Sequence, residues 1–256
     1  MAGLNAPLVY KTYQDVKNNL IYWTFILICI SLAMVYFLFL EQKHRNWLID
    51  LVTKIGSNSL ISTLAAAVLI GAITIIAIIL ISGIEIHDKI YDKLFIKWRD
   101  TYDVELILTN LIEPIRTELP KNFKDFARKY KYEFMKPFYE YVGDGKSGIA
   151  ENTRIRFYER ATLYWATQLN EIFIVIFLVW SPVYLIINQD NNVDDRIAFF
   201  MLALIVVAFL NRWAIRKTRQ EMAQATLDEI EEIISKTNNV KSLKNRYKKL
   251  CATYKI

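Results

Sequence analysis

Lys121, Lys124, Arg128, Lys129, Lys131 and Lys136 recur through a stretch that also carries Phe123, Phe126, Tyr130, Phe134, Phe138 and Tyr141. A phosphate-bearing ligand needs point charges and a base needs a π-face to stack on. This stretch supplies both halves of a nucleotide or oligonucleotide site. Arg99 and Arg116 join it if their helices fold over, so the candidate ligand-binding set is Arg99, Arg116, Lys121, Lys124, Arg128 and Lys131. The competing reading is an amphipathic helix whose aromatics pack inward while its lysines face water.

Other chemistry finds no support in the residues. His44 and His87 have no Cys or second His at ligand spacing, and Cys29 and Cys251 are too few and too far apart for a metal cluster or a disulfide framework. Asp100 and Asp103, which flank Tyr102, and the adjacent Glu231 and Glu232 read as solvated faces rather than as catalytic pairs. Gly143-Asp144-Gly145-Lys146-Ser147-Gly148 lacks the spacing of a phosphate loop and reads as an exposed turn. The expectation is a protein that is not an enzyme, with no metal and no cofactor.

The elements that hold the basic–aromatic stretch are helical by their periodicity. Ile86, Ile90, Leu94 and Trp98 recur every four residues and predict a stalk. Asp103–Leu119 reads as a second helix that stops before Pro120. Asn122–Val142 reads as a third, kinked or split at Pro137. A further helix starts near Ile149 or Thr153. Trp213–Ser235 is helical, Thr237-Asn238-Asn239 breaks it, and Val240, Leu243, Tyr247, Leu250 and Tyr254 mark a last amphipathic helix.

Around this centre lie four apolar runs, 20–40, 60–83, 163–187 and 197–212. A bilayer core of about 30 Å needs roughly 20 helical residues, and backbone in lipid must satisfy itself within helices. The predicted class is therefore all-α and polytopic, with four transmembrane helices. Its parts are residues 1–83 (tail and helices 1–2), 84–160 (cytoplasmic helices), 161–212 (helices 3–4) and 213–256 (C-terminal helices). At 54% hydrophobic, the chain has room for one membrane domain and a modest soluble region. The first run is too long for a signal peptide, and Glu41-Gln42-Lys43 replaces a cleavage site, so it reads as a retained anchor.

Charge sets the orientation. The link 188–195 holds Asp190, Asp194 and Asp195, whereas Arg212, Arg216, Lys217 and Arg219 follow the fourth run, which puts both termini and the centre in the cytoplasm. The first link carries Lys43, Arg45 and Lys54 against this rule. Trp47, Leu48, Leu51 and Val52 make it an interfacial helix with lysines along the headgroups. Residues 84–160 hold 15 Lys and Arg against 14 Asp and Glu, while residues from 211 onward hold 11 against 5 and so carry the whole +6 excess. Such a basic segment suits a membrane surface, and no duplex-DNA reading is expected.

The second run differs from the others in being rich in small and hydroxyl residues. Ser59, Thr63, Ala66, Ile70, Thr74 and Ala77 share one helical face, and Ala67 with Gly71 forms a small-xxx-small pair. This set either packs on the first span of the same chain or meets copies of itself around a pore gated by dewetting. No charge lies deep inside a run. Glu171, the nearest, is placed at the interface, with a cytoplasmic vestibule as the alternative.

Within Thr153–Ile187, RIRFYERATLYWATQLNEIFIVIFLVW resembles the start of the two-span SLATT-type membrane modules of bacterial anti-phage effectors. The two-plus-two arrangement is similar to that of the four-span SMODS-associated effectors. The resemblance implies a bacterial inner-membrane protein that opens or perforates the membrane when a paired enzyme makes a nucleotide signal. The resulting expectation is a homo-oligomeric channel, a tetramer first, gated by its cytoplasmic helices through a nucleotide or a cytoplasmic signalling protein. Movement would pass along the stalk Glu85–Arg99 and the helix at Arg154–Arg160. A non-conducting membrane anchor or scaffold subunit that recruits a cytoplasmic partner is the alternative.

Overall fold

The computed structural model describes residues 12–39, 42–56, 59–83, 101–143, 149–187 and 194–254, with side chains except at 37, 42–43, 45, 55–56, 59–66 and 194–196. It is almost entirely helical (94%), with no strand among the described residues. The helices are α1 Tyr13–Met34, α2 Gln42–Gly56, α3 Ser59–Ile78, α4 Thr109–Ile112, α5 Phe123–Lys129, α6 Lys131–Val142, α7 Glu151–Ile187, α8 Asp194–Ile234 and α9 Thr237–Thr253. Segments of π-helix close α1 (Val35–Phe39) and α3 (Ile79–Gly83) and lead into α4 (Thr101–Leu108), which a 3-10 segment, Glu113–Glu118, continues.

Local chemistry explains the boundaries. Thr12 and Asp15 form a reciprocal cap at the start of α1: the Thr12 N–H donates to Asp15 Oδ2 at 2.8 Å, and the Asp15 N–H donates to Thr12 Oγ1 at 3.3 Å. Pro137 predicts a kink or split within 122–142, but the helix breaks at Tyr130 (φ −115°, ψ 43°) and α6 runs through Pro137. The missing proline N–H frees only the carbonyl of Glu133, an exposed residue that water can serve, while the ring itself is buried. Tyr130 instead turns its ring onto Tyr254, with centroids 4.2 Å apart. At the other expected break, Thr237-Asn238-Asn239 forms the first turn of α9, and the interruption falls at Ser235–Lys236. The Asn239 side chain donates back to the Ile233 carbonyl at the end of α8, at 3.2 Å.

The chain divides into two compact units, one from Met1–Val16, His87–Tyr164 and Lys217–Ile256, the other from Lys17–Ile86 and Trp165–Arg216. The first has an ordinary water-type interior. Val104, Ile107, Leu108, Leu111, Ile112 and Ile115 bury one face of the Thr101–Glu118 segment. Phe123 packs edge-on to Phe134 (5.2 Å) and to Tyr247 of α9 (5.6 Å). The Tyr247 hydroxyl donates to the Phe134 carbonyl at 3.1 Å, which satisfies the one polar atom of a fully buried ring.

The second unit has a small aromatic core. Phe39, Phe177, Ile197 and Leu204 are buried together, with Tyr184 and Phe200 packed against them. The Tyr184 hydroxyl donates to the Phe39 carbonyl at 2.6 Å, at the helix end where that carbonyl has no next turn to pair with. Most of the remaining apolar surface of this unit is uncovered.

Three helices, Tyr13–Met34, Glu151–Ile187 and Ile197–Ile234, are long and apolar enough to cross a membrane, yet only 22%, 17% and 17% of their apolar stretches is buried by protein. Helices this apolar and this bare require an apolar solvent, so the chain is membrane-associated. Ile197–Ile234 has 38 residues, about 57 Å of helix, so a bilayer core takes only part of it. Its apolar part is 197–210, and charged residues follow from Arg212. Three of the four expected spans thus fall in helices of sufficient length and apolarity. In the second run, the apolar stretch whose side chains are described, Ala67–Gly83, falls in the shorter class of 10–17 residues. The expected stalk 85–99 and most of the glycine turn, 144–148, lie outside the described residues. The interfacial segment forms α2, with Trp47 61%, Leu51 39% and Val52 65% exposed.

Candidate functional site

The 3-10 segment Glu113–Glu118 and the turn into α5 carry the basic residues. Leu119 is extended (φ −102°, ψ 151°), as the residue before Pro120 must be. The Phe123 N–H then closes on the Pro120 carbonyl at 3.0 Å. This tight turn brings Arg116, Lys121 and Lys124 around one open groove of about 470 Å³, floored by Ile112, Leu119, Pro120 and Phe123. The volume falls in the range of small-ligand sites.

The groove cations are lightly committed. Arg116 lies 3.6 Å from Glu113, both more than 60% exposed, and Lys124 lies 3.4 Å from Glu105. Exposed pairs of this kind contribute little and yield to a more highly charged anion. Glu118, between the groove residues Thr117 and Leu119, accepts from Lys244 at 2.7 Å and Lys248 at 2.8 Å of α9. These two hydrogen bonds hold its carboxyl below the usual range. The charge therefore extends from the groove onto the C-terminal helix.

Of the candidate ligand set, the fold brings Arg116, Lys121 and Lys124 together. Arg128 bonds Glu105, and Lys131, only 17% exposed, faces buried Asp103 at 3.9 Å. Arg99 lies outside the described residues. Phe123, Phe134 and Phe138 are buried, so the aromatic face largely turns inward while Lys121, Lys129 and Lys136 are exposed. That is the amphipathic-helix reading for most of the stretch. What the groove offers is cationic charge over an apolar floor, without an open aromatic platform.

Among the described side chains of α3 and the π-helical segment that closes it, Ile73, Ala77 and Ile81 are buried. Ala67 and Ile70 are exposed, Gly71 and Thr74 are half-buried, and a Cβ added at Gly71 would meet nothing within 4 Å. The Thr74 hydroxyl donates to the Ile70 carbonyl at 2.7 Å. Ser59, Thr63 and Ala66 lie on the helix, but their side chains are outside the described set. The candidate face therefore divides: Ala77 is covered by its own chain, while Ala67 and Ile70 are exposed and Gly71 has open space where a side chain would stand.

Two polar clusters escaped the sequence reading. Buried Asn211 donates to the Thr167 carbonyl (3.2 Å) and to Glu171 (2.7 Å), and accepts from Asn170 (2.9 Å). Arg212 bonds the same Glu171 at 2.7 Å, whose side chain is 14% exposed. Glu171 thus sits inside an interhelical clamp joining α7 to α8. The signal was present in Asn211, a fully polar residue closing an apolar run.

The second cluster surrounds Glu229, which is wholly buried. Desolvation pushes its carboxyl up to about 9, against the pull of Arg154 and with the repulsion of Glu232 adding to the rise. Tyr102, the second residue of its π-helical segment, bonds Thr226 on α8 and is itself pushed upward by burial. The legible signal was periodic. Met222, Thr226, Glu229 and Ile233 share one face of α8, and that face is the buried one. Glu231 is exposed, as expected of a solvated face, but Glu232 accepts the N–H of Ala150.

No curated protein and no solved structure matches the chain. Residues 12–245, which run from the cap of α1 into α9 and include both clusters and the groove, match the YmfE protein family. The chain belongs to the YmfE protein family.

Proposed function

We propose that the chain is an oligomeric channel or pore-forming effector of a bacterial inner membrane, acting in anti-phage defence. It crosses the membrane four times, with 60–83 as the second crossing and both termini cytoplasmic. The single observation that carries the reading is the open small-residue face of α3. In a unit already short of protein cover, Ala67 is exposed and a Cβ at Gly71 would meet nothing within 4 Å, where helices can approach most closely. A second copy of the same face is its natural cover, and a ring of copies encloses a path lined by Ile70 and Thr74. The resemblance of Thr153–Ile187 to SLATT-type modules supports the defence role.

Gating falls to the helical unit. The groove at Arg116, Lys121 and Lys124 suits a nucleotide-type anion held through its phosphates, and α7 and α8 contribute to both units. A ligand opens the path only by favouring one arrangement of those helices. The test is ion flux into liposomes containing the purified chain, with and without cyclic or linear oligonucleotides. Flux that Gly71→Trp abolishes supports the reading. Absence of flux under every ligand, together with a stably retained cytoplasmic protein, would favour the scaffold alternative instead.

A further inference from the structure

Within the helical unit α7 and α8 are laced by a series of pairs. Arg160 donates to Glu221 at 2.7 Å, Arg156 to Asp228 at 3.1 Å, and the Ala150 N–H to Glu232 at 2.5 Å. The pairs step backward along α7 as they step forward along α8, the register of an antiparallel helix pair. Arg154 and Glu229 occupy the position between the second and third of these contacts. Arg154 is also the cation that acts on Glu229 most strongly. Yet the contact is not made: both Glu229 oxygens and the Arg154 Nε are buried with no hydrogen-bond partner.

We propose that the helical unit has two arrangements of α7 against α8, distinguished by this one contact. In the open arrangement described here Glu229 holds its proton. In the closed arrangement Glu229 is ionised and paired with Arg154, its proton having passed to solvent. The inference goes beyond the channel reading and does not depend on it.

Three features support a contact poised to close. First, a carboxylic acid and a guanidinium nitrogen buried without partners are each costly, and one displacement satisfies both. Second, the flanking pairs can follow that displacement, since Arg156 is 61% and Arg160 39% exposed and both are long and flexible. Third, the nearby hydroxyls of Thr226 and Tyr102 are committed to other partners. The Thr226 hydroxyl donates to the Met222 carbonyl at 3.0 Å, so the Tyr102 hydroxyl must donate to Thr226. Among the described residues, the charged or titratable groups acting on Glu229 are Arg154 from α7, Tyr102 from the π-helical segment and Glu232 on α8 itself.

The sign of the response follows. Closing releases one proton, so rising pH favours the closed arrangement about tenfold per pH unit. That window runs from the pKa of the paired carboxyl up to the value of about 9 in the open arrangement.

The test places nitroxide labels on the full chain in lipid nanodiscs, at the exposed positions Asn152→Cys and Glu231→Cys. The background carries Cys29→Ser and Cys251→Ala, which removes both native thiols. Spin–spin distances are then read from pH 6 to pH 9.5. The proposal expects two distance populations that exchange with one-proton steepness. It expects this response to vanish in Glu229→Gln, and separately in Arg154→Gln should the first variant fail to fold. A single distance throughout the range, or an unchanged pH response in the folded variants, overturns it.

Discussion

Replacing Glu229 by Gln should stabilise the protein, and by an amount that depends on pH. The carboxyl is wholly buried and has no hydrogen-bond partner. Burial raises it from 4.5 to about 9. Below pH 4.5 the folded and unfolded chains both carry the proton, and the group has no effect on stability. Between 4.5 and 9 the unfolded chain releases the proton and the folded chain keeps it, so stability falls as pH rises, by about 1.4 kcal/mol per pH unit. At pH 7 the accumulated loss is about 3 kcal/mol, and at pH 5 it is under about 1 kcal/mol. Glutamine has the shape of the protonated acid and does not titrate, so the variant should be more stable than the parent by these amounts. Chemical unfolding of the purified chain in detergent micelles, followed by circular dichroism at pH 5 and at pH 7, measures both differences. A plateau in the pH dependence well short of 9 is the mark of the closed Arg154 pair taking over. A Gln variant that is less stable than the parent at pH 7, or a difference that does not grow with pH, refutes the reasoning.

Other substitutions probe the two units and the groove separately. Tyr247→Phe should cost about 1 kcal/mol for the hydrogen bond to the Phe134 carbonyl, and Tyr247→Ala about 3–5 kcal/mol for the cavity between Phe123 and Phe134, both read by chemical unfolding. Asn211→Leu removes the bonds to Thr167, Asn170 and Glu171 and should cost about 1–2 kcal/mol in micelles, with little change in helix content. Combining Arg116→Glu with Lys121→Glu should weaken binding of a fluorescent nucleotide triphosphate at least tenfold, as measured by anisotropy. The parent's own affinity should fall as salt rises. Lys136→Glu, on an exposed site away from the groove lining, should leave that binding unchanged.

The parts legible in the sequence were those set by periodicity. The helical segments from Thr101 to Thr253 follow the apolar spacing that predicts them, because burial of one face decides their register. The break at Tyr130 was hidden by a rule about Pro137 that holds only where the orphaned carbonyl cannot reach water. The groove was half legible. Arg116, Lys121 and Lys124 were named from charge and spacing, but the aromatics that made the stretch look like a base-stacking platform turned inward to meet Tyr247 on a helix more than a hundred residues later. Glu229 and Asn211 were missed for a shared reason. Each is a polar residue on a buried face, and only the partner helix reveals whether such a residue is solvated, paired or stranded.

The most direct measurement is electrical recording from the Cys29→Ser, Cys251→Ala chain in planar bilayers, with single cysteines probed by a charged thiol reagent. If α3 faces the axis of an oligomeric path, the reagent should reduce current at Ile70→Cys and leave Val68→Cys, which is 72% exposed on the opposite side of the helix, unaffected. No current in any condition, or equal modification effects at the two positions, contradicts the account.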